Sequence, residues 1–383
     1  MKHISLSSCV TMFISILSLI SPANLLTLSC FVNVNGPCNT GALTMGQVDM
    51  NAYVGRYNKY VKSCNFNPVA DLSSADLLPP IVDSVLDMSC DGFVLPSLNY
   101  SFTKQCGLME TYATLYACIN ANDAKYKYLL NTNETFTIIV YNLPLKCPWL
   151  GLGTIPQETQ SSRYNSVWIQ GERMRNINYT NTLVHELGHT KRLQHAGAFG
   201  STWEYADCSC PMGCAKDINL CFNAPNANRL GWAKPIFIDQ TLQNYWMTVF
   251  VPIYTTAFSN HVMIQVTSDC ALYFSVRSSL GGPADSSVSG LTVVNYVKNY
   301  VPVENALGIH AMNASSNRAM AVDFLSESKT KIWDFAGIAN NVCGNTVIDM
   351  LKKLAIVHHE FIQSEGGSLV SFCFYGKTVG NCY

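Results

Sequence analysis

Charged side chains are scarce in this sequence. Asp, Glu, Lys and Arg make up 13% of its 383 residues, against about 25% in an average soluble domain. The 24 basic and 25 acidic residues leave a formal net charge of -1, and the lack of a basic excess argues against a nucleic-acid-binding protein. Internal repeats and low-complexity tracts are also missing. The hydrophobic share of 48% excludes an intrinsically disordered chain.

Apolar runs long enough to cross a membrane are missing beyond the N-terminus. Residues 10–20 (VTMFISILSLI) form an apolar run that follows a short basic segment and precedes small residues ending at Ala23. This order predicts a signal peptide over residues 1–23 and a secreted protein. The alternative is a membrane anchor over about residues 6–32, a stretch that Pro22 and several polar side chains interrupt. Apart from the signal peptide, we expect no membrane contact.

Cysteine, in contrast, is abundant, with 16 residues, and a secreted chain pairs its cysteines in disulfide bonds. Without Cys9, which lies in the signal peptide, 15 of the 16 remain, so at most seven pairs can form and one thiol stays unpaired. A closely spaced group could instead bind a structural zinc ion. It lacks the Cys-x-x-Cys pairs of zinc fingers, so we favour disulfides. The group consists of Cys208, Cys210, Cys214 and Cys221.

Four Asn-x-Ser/Thr sequons agree with secretion and predict a glycoprotein with exposed backbone at these positions. The sequons are Asn99, Asn133, Asn178 and Asn313.

The first part of the chain alternates strand-like and helix-like patterns. Residues 46–64 place apolar side chains at i, i+3, i+4 and i+7, which predicts an amphipathic helix. Two further helices are predicted, over about residues 107–121 and from about residue 181. Strands are predicted at residues 25–34, 135–142 and 166–170. This alternation indicates an α/β sheet domain.

The pattern changes after about residue 238. From there, β-rich runs separated by Gly, Ser and Asn predict an all-β, sandwich-like module. We therefore divide the mature chain into residues 24–238 and residues 239–383. Within the second part, residues 344–364 carry the pattern of a helix.

The motif that carries chemistry is residues 185–195 (HELGHTKRLQH). His185 and His189 lie four residues apart, so on a helix they share one face, with Cβ atoms about 5–6 Å apart, and can bind one zinc ion. His195 lies six residues beyond His189, so the helix must end and the chain must turn back for it to join them. Three nitrogen ligands leave a fourth position for water, which is typical of a catalytic rather than a structural zinc site.

Glu186 is the predicted catalytic residue. It points to the side of the ligand pair, where it can reach a zinc-bound water without binding the ion. Zinc lowers the pKa of such a water from 15.7 to about 7, and Glu186 would take its proton and later return it to the leaving amine. Four other histidines lack ligand spacing, and we expect them to be surface or structural residues. They are His261, His310, His358 and His359.

The motif resembles that of the metzincin metallopeptidases, H-E-x-x-H-x-x-G-x-x-H, and within that clan the chain is similar to the gametolysin (autolysin) family. The resemblance implies a metzincin-like catalytic domain over residues 24–238, with a twisted, mostly parallel sheet, long helices, an active-site helix and a Met-turn that puts Met212 beneath the zinc. Four further segments carry the resemblance, at residues 143–155 (LPLKCPWLGLGTI), 203–213 (WEYADCSCPMG), 223–235 (NAPNANRLGWAKP) and 272–282 (LYFSVRSSLGG).

Three departures from the family pattern matter. Arg192 stands where the family has a glycine that turns the chain between the second and third ligands, often with positive φ, so we expect a modest stability cost of about 1–2 kcal/mol. Position 214 is Cys rather than the Tyr that some metzincins add as a ligand, so zinc binding by tyrosine is not expected. The first core strand follows Ala23 closely, so we expect no propeptide of ordinary length and no usual cysteine switch.

Together these features predict a secreted zinc-dependent endopeptidase that acts on proteins or glycoproteins of an extracellular matrix or cell wall. The family resemblance implies that such enzymes digest Pro- and hydroxyproline-rich wall glycoproteins in green algae. The alternative is a non-catalytic extracellular binding or adhesion protein on a metalloprotease scaffold, which Arg192 leaves open. A third interpretation is a metzincin of another family, astacin-like or snapalysin-like, although snapalysin-like enzymes use Asp at the place of His195. A calcium ion, although possible, has no support in the sequence, since no Asp-rich loop has EF-hand spacing.

Overall fold

The structure is a computed structural model. It describes residues 27–35, 47–67, 81–89, 111, 115, 136–142, 149–155, 164–170, 180–214, 220–237, 244–267, 270–278, 305–313, 318–325, 329–334, 353–375 and 382. The predicted signal peptide, three sequons (Asn99, Asn133 and Asn178) and most of the helix predicted at residues 107–121 lie outside these residues. The described ranges contain three continuous helices, α1 (Gln47–Cys64), α2 (Thr180–Thr190) and α3 (Ala224–Arg229). None of them is long and apolar enough to cross a membrane.

A mostly parallel sheet forms the first part of the described chain. Its order is β2-β1-β3-β5-β4, and β4 alone runs antiparallel, at the edge beside β5. Residues 166–169 are all buried, as expected where a parallel sheet is covered on both faces. The strands predicted at 25–34, 135–142 and 166–170 are thus confirmed as β1, β3 and β5. The five strands are β1 (Thr27–Asn35), β2 (Ile81–Ser89), β3 (Phe136–Asn142), β4 (Gly151–Gly153) and β5 (Tyr164–Gln170).

Helix α1 packs its apolar stripe into the core beside this sheet. Val54, Tyr57, Val61 and Cys64 are each at most 5% exposed, which confirms the amphipathic helix predicted there. These side chains share one buried cluster with residues of α2 and β5. The last residue of α1, Cys64, forms a disulfide bond with Cys221, which precedes α3.

Two further sheets contain ten described strands. The six-stranded sheet has the order β6-β12-β11-β10-β9-β7 and the four-stranded sheet has the order β13-β14-β15-β8. The strands are β6 (Gly197–Ala198), β7 (Lys234–Phe237), β8 (Met247–Pro252), β9 (Ser259–Thr267), β10 (Cys270–Ser278), β11 (Asn305–Asn313), β12 (Arg318–Leu325), β13 (Lys329–Asp334), β14 (Lys353–Ile362) and β15 (Gly367–Tyr375).

Both of these sheets contribute side chains to one buried cluster. Phe274 on β10 and Phe372 on β15 meet inside it with ring centroids 5.0 Å apart in an edge-to-face arrangement. The β-rich character predicted for the second part is therefore present. Its sandwich-like closure is a proposal that the shared cluster supports.

The helix predicted over residues 344–364 is wrong where the structure describes it, because Lys353–Ile362 forms strand β14. Leu354 and Ile356 join the cluster between the two sheets, whereas Ala355 packs in another cluster with Cys373. Side chains that alternate between two faces define a strand. Both faces are apolar here, and such a run resembles a buried helix in sequence. Long helices were expected in the first part. Among the described residues only α1, with 18 residues, is long, since α2 has 11 residues and α3 has 6.

The first part and the six-stranded sheet share their core. Strands β6 and β7 belong to that sheet although they precede residue 239. Tyr254, Tyr273 and Met312 from beyond residue 239 lie in the buried cluster of α1 and α2. The division at residues 238 and 239 stays a prediction, and the residues of the zinc motif lie where the first part and this sheet meet.

Candidate metal centre

Helix α2 carries His185, Glu186 and His189, as the motif predicts. Leu183, Val184 and Leu187 on the same helix are at most 2% exposed, and they anchor it in the shared core. The helix packs on β4 and β5 of the first sheet. The i, i+4 spacing therefore presents both imidazoles from a rigid element, as expected.

The helix ends in a Schellman motif that turns the chain towards His195. The Arg192 N–H donates to the His189 carbonyl at 2.8 Å and the Leu193 N–H donates to the Gly188 carbonyl at 3.0 Å. Arg192 occupies the left-handed position of this motif with φ 68°. The positive φ expected where the family has glycine is thus present, on a residue that carries a Cβ.

The turn brings three imidazoles together. Ligand nitrogens of His185, His189 and His195 all lie within 4.8 Å of one another, and the Nε2 atoms of His189 and His195 are 3.0 Å apart. Three converging imidazole nitrogens match the donor set of a catalytic zinc site. The three ligands predicted from the sequence are therefore the three residues that the fold brings together.

Each imidazole is oriented through its other nitrogen. The Nδ1–H of His185 donates to the Pro211 carbonyl at 2.8 Å, and that of His189 donates to the Leu193 carbonyl at 2.8 Å. Nδ1 of His195 lies 3.1 Å from the Glu204 carboxylate. Acceptors at Nδ1 fix the tautomer and leave Nε2 free to bind a metal.

Burial keeps the helix-borne imidazoles neutral. Removal from water, with a smaller contribution from the neighbouring His189, lowers the pKa of His185 to about 3. Burial likewise lowers the pKa of His189 to about 4. Both side chains are therefore neutral near pH 7, which is the form that binds a metal. The donor set, its tautomers and its protonation thus fit a zinc ion held by His185, His189 and His195.

Glu186 lies beside the triad, between α2 and the edge strand β4. Its side chain is 6% exposed, and the Gly153 N–H donates to its carboxylate. Burial raises the pKa of Glu186 to about 8, and a cation on the three imidazoles would lower it again. A Cβ at Gly151 would lie 2.7 Å from Glu186 Cγ, and one at Gly153 would overlap the Glu186 carbonyl oxygen. The two glycines therefore allow the strand to approach Glu186 closely.

Met212 lies in the buried floor of the site. It is 0% exposed, and its sulfur contacts Gly188 of α2, between the two helix-borne histidines. Its carbonyl accepts the Ala196 N–H at 2.8 Å, which ties the segment to the residue after His195. Met212 thus lies under the helix as the Met-turn resemblance implies.

Disulfides account for three of the four closely spaced cysteines. Cys208 bonds to Cys214 across the Met212 segment, and Cys221 bonds to Cys64. Cys210 is a free buried thiol whose pKa is raised by burial to about 12, so it stays protonated. The preference for disulfides over a second zinc site is confirmed for this group.

A cleft of about 490 Å³ opens onto His185 and Glu186. Aromatic and apolar side chains dominate its walls, and two of them are exposed, Leu150 at 49% and Trp203 at 40%. Peptide segments fit such a cleft because apolar walls bind side chains and a few polar groups orient the backbone. The remaining lining residues include Trp149, Asn181, Thr182, Tyr205, Pro211 and Cys214.

Sequence reasoning missed the side chains that surround His195. Glu204 meets its Nδ1 atom, and the Tyr205 ring lies against it with centroids 4.0 Å apart. Burial raises the pKa of Tyr205 to about 12, so its hydroxyl stays protonated. No spacing rule links position 195 to positions 204 and 205. The only sequence signal for this contact was a carboxylate next to an aromatic residue, Glu204 and Tyr205, shortly after the third predicted ligand.

The other histidines do not join the site. His261, His310 and His358 are each 0% exposed, and the described ligand cluster does not include them. His310 lies 3.4 Å from the buried carboxylate of Asp207. These histidines were expected to be either surface or structural residues. Because all three are buried, they are structural residues.

Three imidazoles on a helix and the turn after it, with a buried glutamate beside them, match a metal centre that activates water for hydrolysis. The family model described as gametolysin peptidase M11 matches residues 49–336, which is more than half of the chain. The protein therefore belongs to the gametolysin family of metallopeptidases.

A curated relative agrees with this assignment. Autolysin from Chlamydomonas reinhardtii is 38% identical over 138 residues, which cover 33% of this chain and 20% of autolysin. The matched region thus spans about a fifth of the relative's length.

Proposed function

We propose that this protein is a secreted zinc-dependent endopeptidase that hydrolyses proteins or glycoproteins of an extracellular matrix or cell wall. His185, His189 and His195 hold the zinc ion, and Glu186 is the general base. The observation that carries the proposal is the convergence of three imidazoles whose Nδ1 atoms all have acceptors, which leaves three Nε2 atoms for one metal.

When bound, the zinc ion would act as a Lewis acid that polarises the scissile carbonyl and activates water. Glu186 takes a proton from the attacking water and transfers it to the nitrogen of the leaving amine. The Gly153 N–H orients its carboxylate, and the shielded position between α2 and β4 keeps bulk water from competing for the proton.

The edge strand β4 offers a place for the substrate backbone. In the described sheet β4 pairs only with β5, and its first residue, Gly151, lines the cleft beside Glu186. An extended peptide can add to such a free edge through main-chain hydrogen bonds. A scissile bond bound there lies next to Glu186 and the imidazoles.

Two observations support an extracellular location. The described chain contains the disulfides Cys64–Cys221, Cys208–Cys214 and Cys373–Cys382, and such bonds persist in oxidising compartments. The matched relative is named autolysin, which supports a cell-wall substrate. Glycosylation remains part of the proposal; of the four sequons, Asn313 ends strand β11.

The test uses purified full-length protein with casein, a zinc chelator and re-added zinc. We expect cleavage that stops on chelation and returns with zinc. Glu186→Gln should lower kcat by about 10²–10⁴ because the general base is lost. Glu365→Gln, in an exposed turn between β14 and β15, is the matched control and should leave cleavage unchanged.

The non-catalytic alternative gives a different outcome. A binding protein on this scaffold would take up stoichiometric zinc but turn over no peptide in a library. Cleavage that survives chelation, or that is unchanged in Glu186→Gln, contradicts the proposed mechanism.

A further inference from the structure

His195 is held differently from the other two imidazoles. His185 and His189 sit on a helix and donate to backbone carbonyls, whereas His195 lies on the chain beyond the turn and meets a side-chain carboxylate. Its Nδ1 atom is 3.1 Å from Oε2 of Glu204. The third nitrogen of the triad therefore depends on a residue nine positions further along the chain.

Tyr205 supports the same pair from a second direction. Its ring centroid lies 4.0 Å from that of His195 and 5.8 Å from that of His185. Its hydroxyl donates a hydrogen bond to the Glu204 carboxylate. The imidazole of His195 is thus held at its edge by Glu204 and on its face by Tyr205.

The loop that presents these two residues is fixed at several points. The Asp207 N–H donates to the Ala196 carbonyl at 3.1 Å, directly after His195. Arg318 of β12 donates to the Glu204 carbonyl at 3.3 Å. These bonds join the loop both to the ligand segment and to the six-stranded sheet, so the Glu204 carboxylate is positioned before any metal binds.

A surface ion pair alone stabilises a fold very little, and the Glu204 side chain is 56% exposed. A carboxylate at Nδ1 of a metal ligand has another effect. It fixes the tautomer and ring orientation and raises the basicity of the other nitrogen, and loss of such a partner typically costs about 10–100-fold in metal affinity or activity. The contact of Glu204 with His195 should therefore act on metal binding rather than on folding.

We infer that Glu204 is a positioning residue of the metal centre, which holds His195 with Nε2 directed at the metal, and that Tyr205 keeps the Glu204 carboxylate in place. This inference rests on the proposed zinc centre. It assigns a role to a side chain that touches neither substrate nor the reacting atoms.

The experiment measures zinc affinity of the zinc-free full-length chain by competition with a chromophoric chelator. Glu204→Ala should raise the Kd about 10–100-fold, and Glu204→Gln, whose amide oxygen still accepts a hydrogen bond but carries no charge, should fall between Glu204→Ala and the wild type. Tyr205→Phe keeps the ring on His195 and should have a smaller effect. Glu365→Gln is again the control, and the thermal midpoint of each zinc-free variant is measured in parallel.

A second readout is the visible absorption of the Co²⁺-loaded protein, which reports ligand geometry. Glu204→Ala should change these bands, whereas Glu365→Gln should not. The inference is overturned if Glu204→Ala binds zinc as tightly as Glu365→Gln, or if its zinc-free form unfolds at a clearly lower temperature, which would indicate a structural role.

The two proposals fail in different ways. If the wild-type chain binds no zinc and cleaves no casein, the proposed function and this inference both fall. If the wild type binds zinc and cleaves casein while Glu204→Ala keeps its affinity, only the role of Glu204 is refuted.

Discussion

Met212 lies so close to Gly188 that helix α2 has no room for a Cβ at this position. The contact joins the helix that carries two predicted ligands to the disulfide-closed segment below it. Gly188 thus has a steric role in addition to its place in the motif.

Gly188→Ala tests this contact. Overpacking typically destabilises a protein by about 1–3 kcal/mol. The better helix propensity of Ala offsets about 1 kcal/mol of this, so we expect the free energy of unfolding to fall by about 1 kcal/mol. In the double variant with Met212→Ala, the Gly188→Ala change should no longer destabilise. Urea unfolding of the four proteins of this cycle gives the coupling energy, and strictly additive values would contradict a direct contact.

Arg192→Gly should stabilise the protein by about 1 kcal/mol, since a non-Gly residue at φ 68° carries a steric cost that glycine avoids. Two variants separate this effect from loss of the arginine side chain. Arg192→Ala keeps a Cβ and should bring no comparable gain. Lys191→Gly changes the preceding residue, which has no positive φ, and should not stabilise. Denaturant unfolding of the zinc-free proteins measures all three.

Gly153→Ala should weaken both stability and catalysis. Its Cβ would overlap the Glu186 carbonyl oxygen and lie 3.0 Å from His189 Cβ, so β4 must move away and the hydrogen bond from the Gly153 N–H to the Glu186 carboxylate is lost. We expect a cost of about 1–3 kcal/mol and a lower kcat on casein. Gly55→Ala, in α1, has nothing within 4 Å of its Cβ; this control should gain about 0.5–1 kcal/mol with unchanged kcat.

Asp207 should make stability depend on acid pH. Burial by itself raises its pKa, but the nearby His310 and hydrogen bonds from His310, Ser209 and Asn223 outweigh burial and hold the pKa below its ordinary value. A depressed carboxyl pKa contributes stability above the unfolded value, about 3.9, and this contribution disappears as pH falls through the folded value.

Unfolding at pH 7 and at a series of lower pH values checks this dependence. Asp207→Asn should cost about 1–3 kcal/mol at pH 7 and should lose less stability than the wild type on acidification below about pH 4. The exposed Glu365→Gln should follow the wild-type curve. Parallel curves for wild type and Asp207→Asn would show that this carboxylate does not carry the acid sensitivity.

The triad could be predicted from sequence because helix periodicity is local. The spacing of four positions from His185 to His189 places them on one face, and the required turn before His195 explains the left-handed Arg192. The alternation of strand-like and helix-like patterns predicted three of the five strands of the first sheet, whereas its mostly parallel order was implied by the family resemblance. Strand β14 was misread because Leu354 and Ala355 are buried on opposite faces, and a run that is apolar on both sides has no strand signature of its own.

Contacts that join distant parts of the chain had no local signal. The disulfide between Cys64 and Cys221 spans 157 residues. The number of cysteines limits how many pairs can form but does not show which cysteines pair. The contact of Glu204 with His195 depends on how the loop after β6 folds back onto His195. Such pairs are set by tertiary packing, which the zinc motif itself does not encode.

Strand β6 begins two residues after His195 and pairs in parallel with β12, through Gly197 with Met320 and Ala198 with Ala321. The third imidazole therefore enters the centre from the border of the six-stranded sheet, whereas the other two come from a helix on the first sheet. Transplanting the motif-bearing segment alone would separate His195 from the surface that supports it. A graft that keeps the support of all three imidazoles must therefore include strands β6 and β12 as well as helix α2.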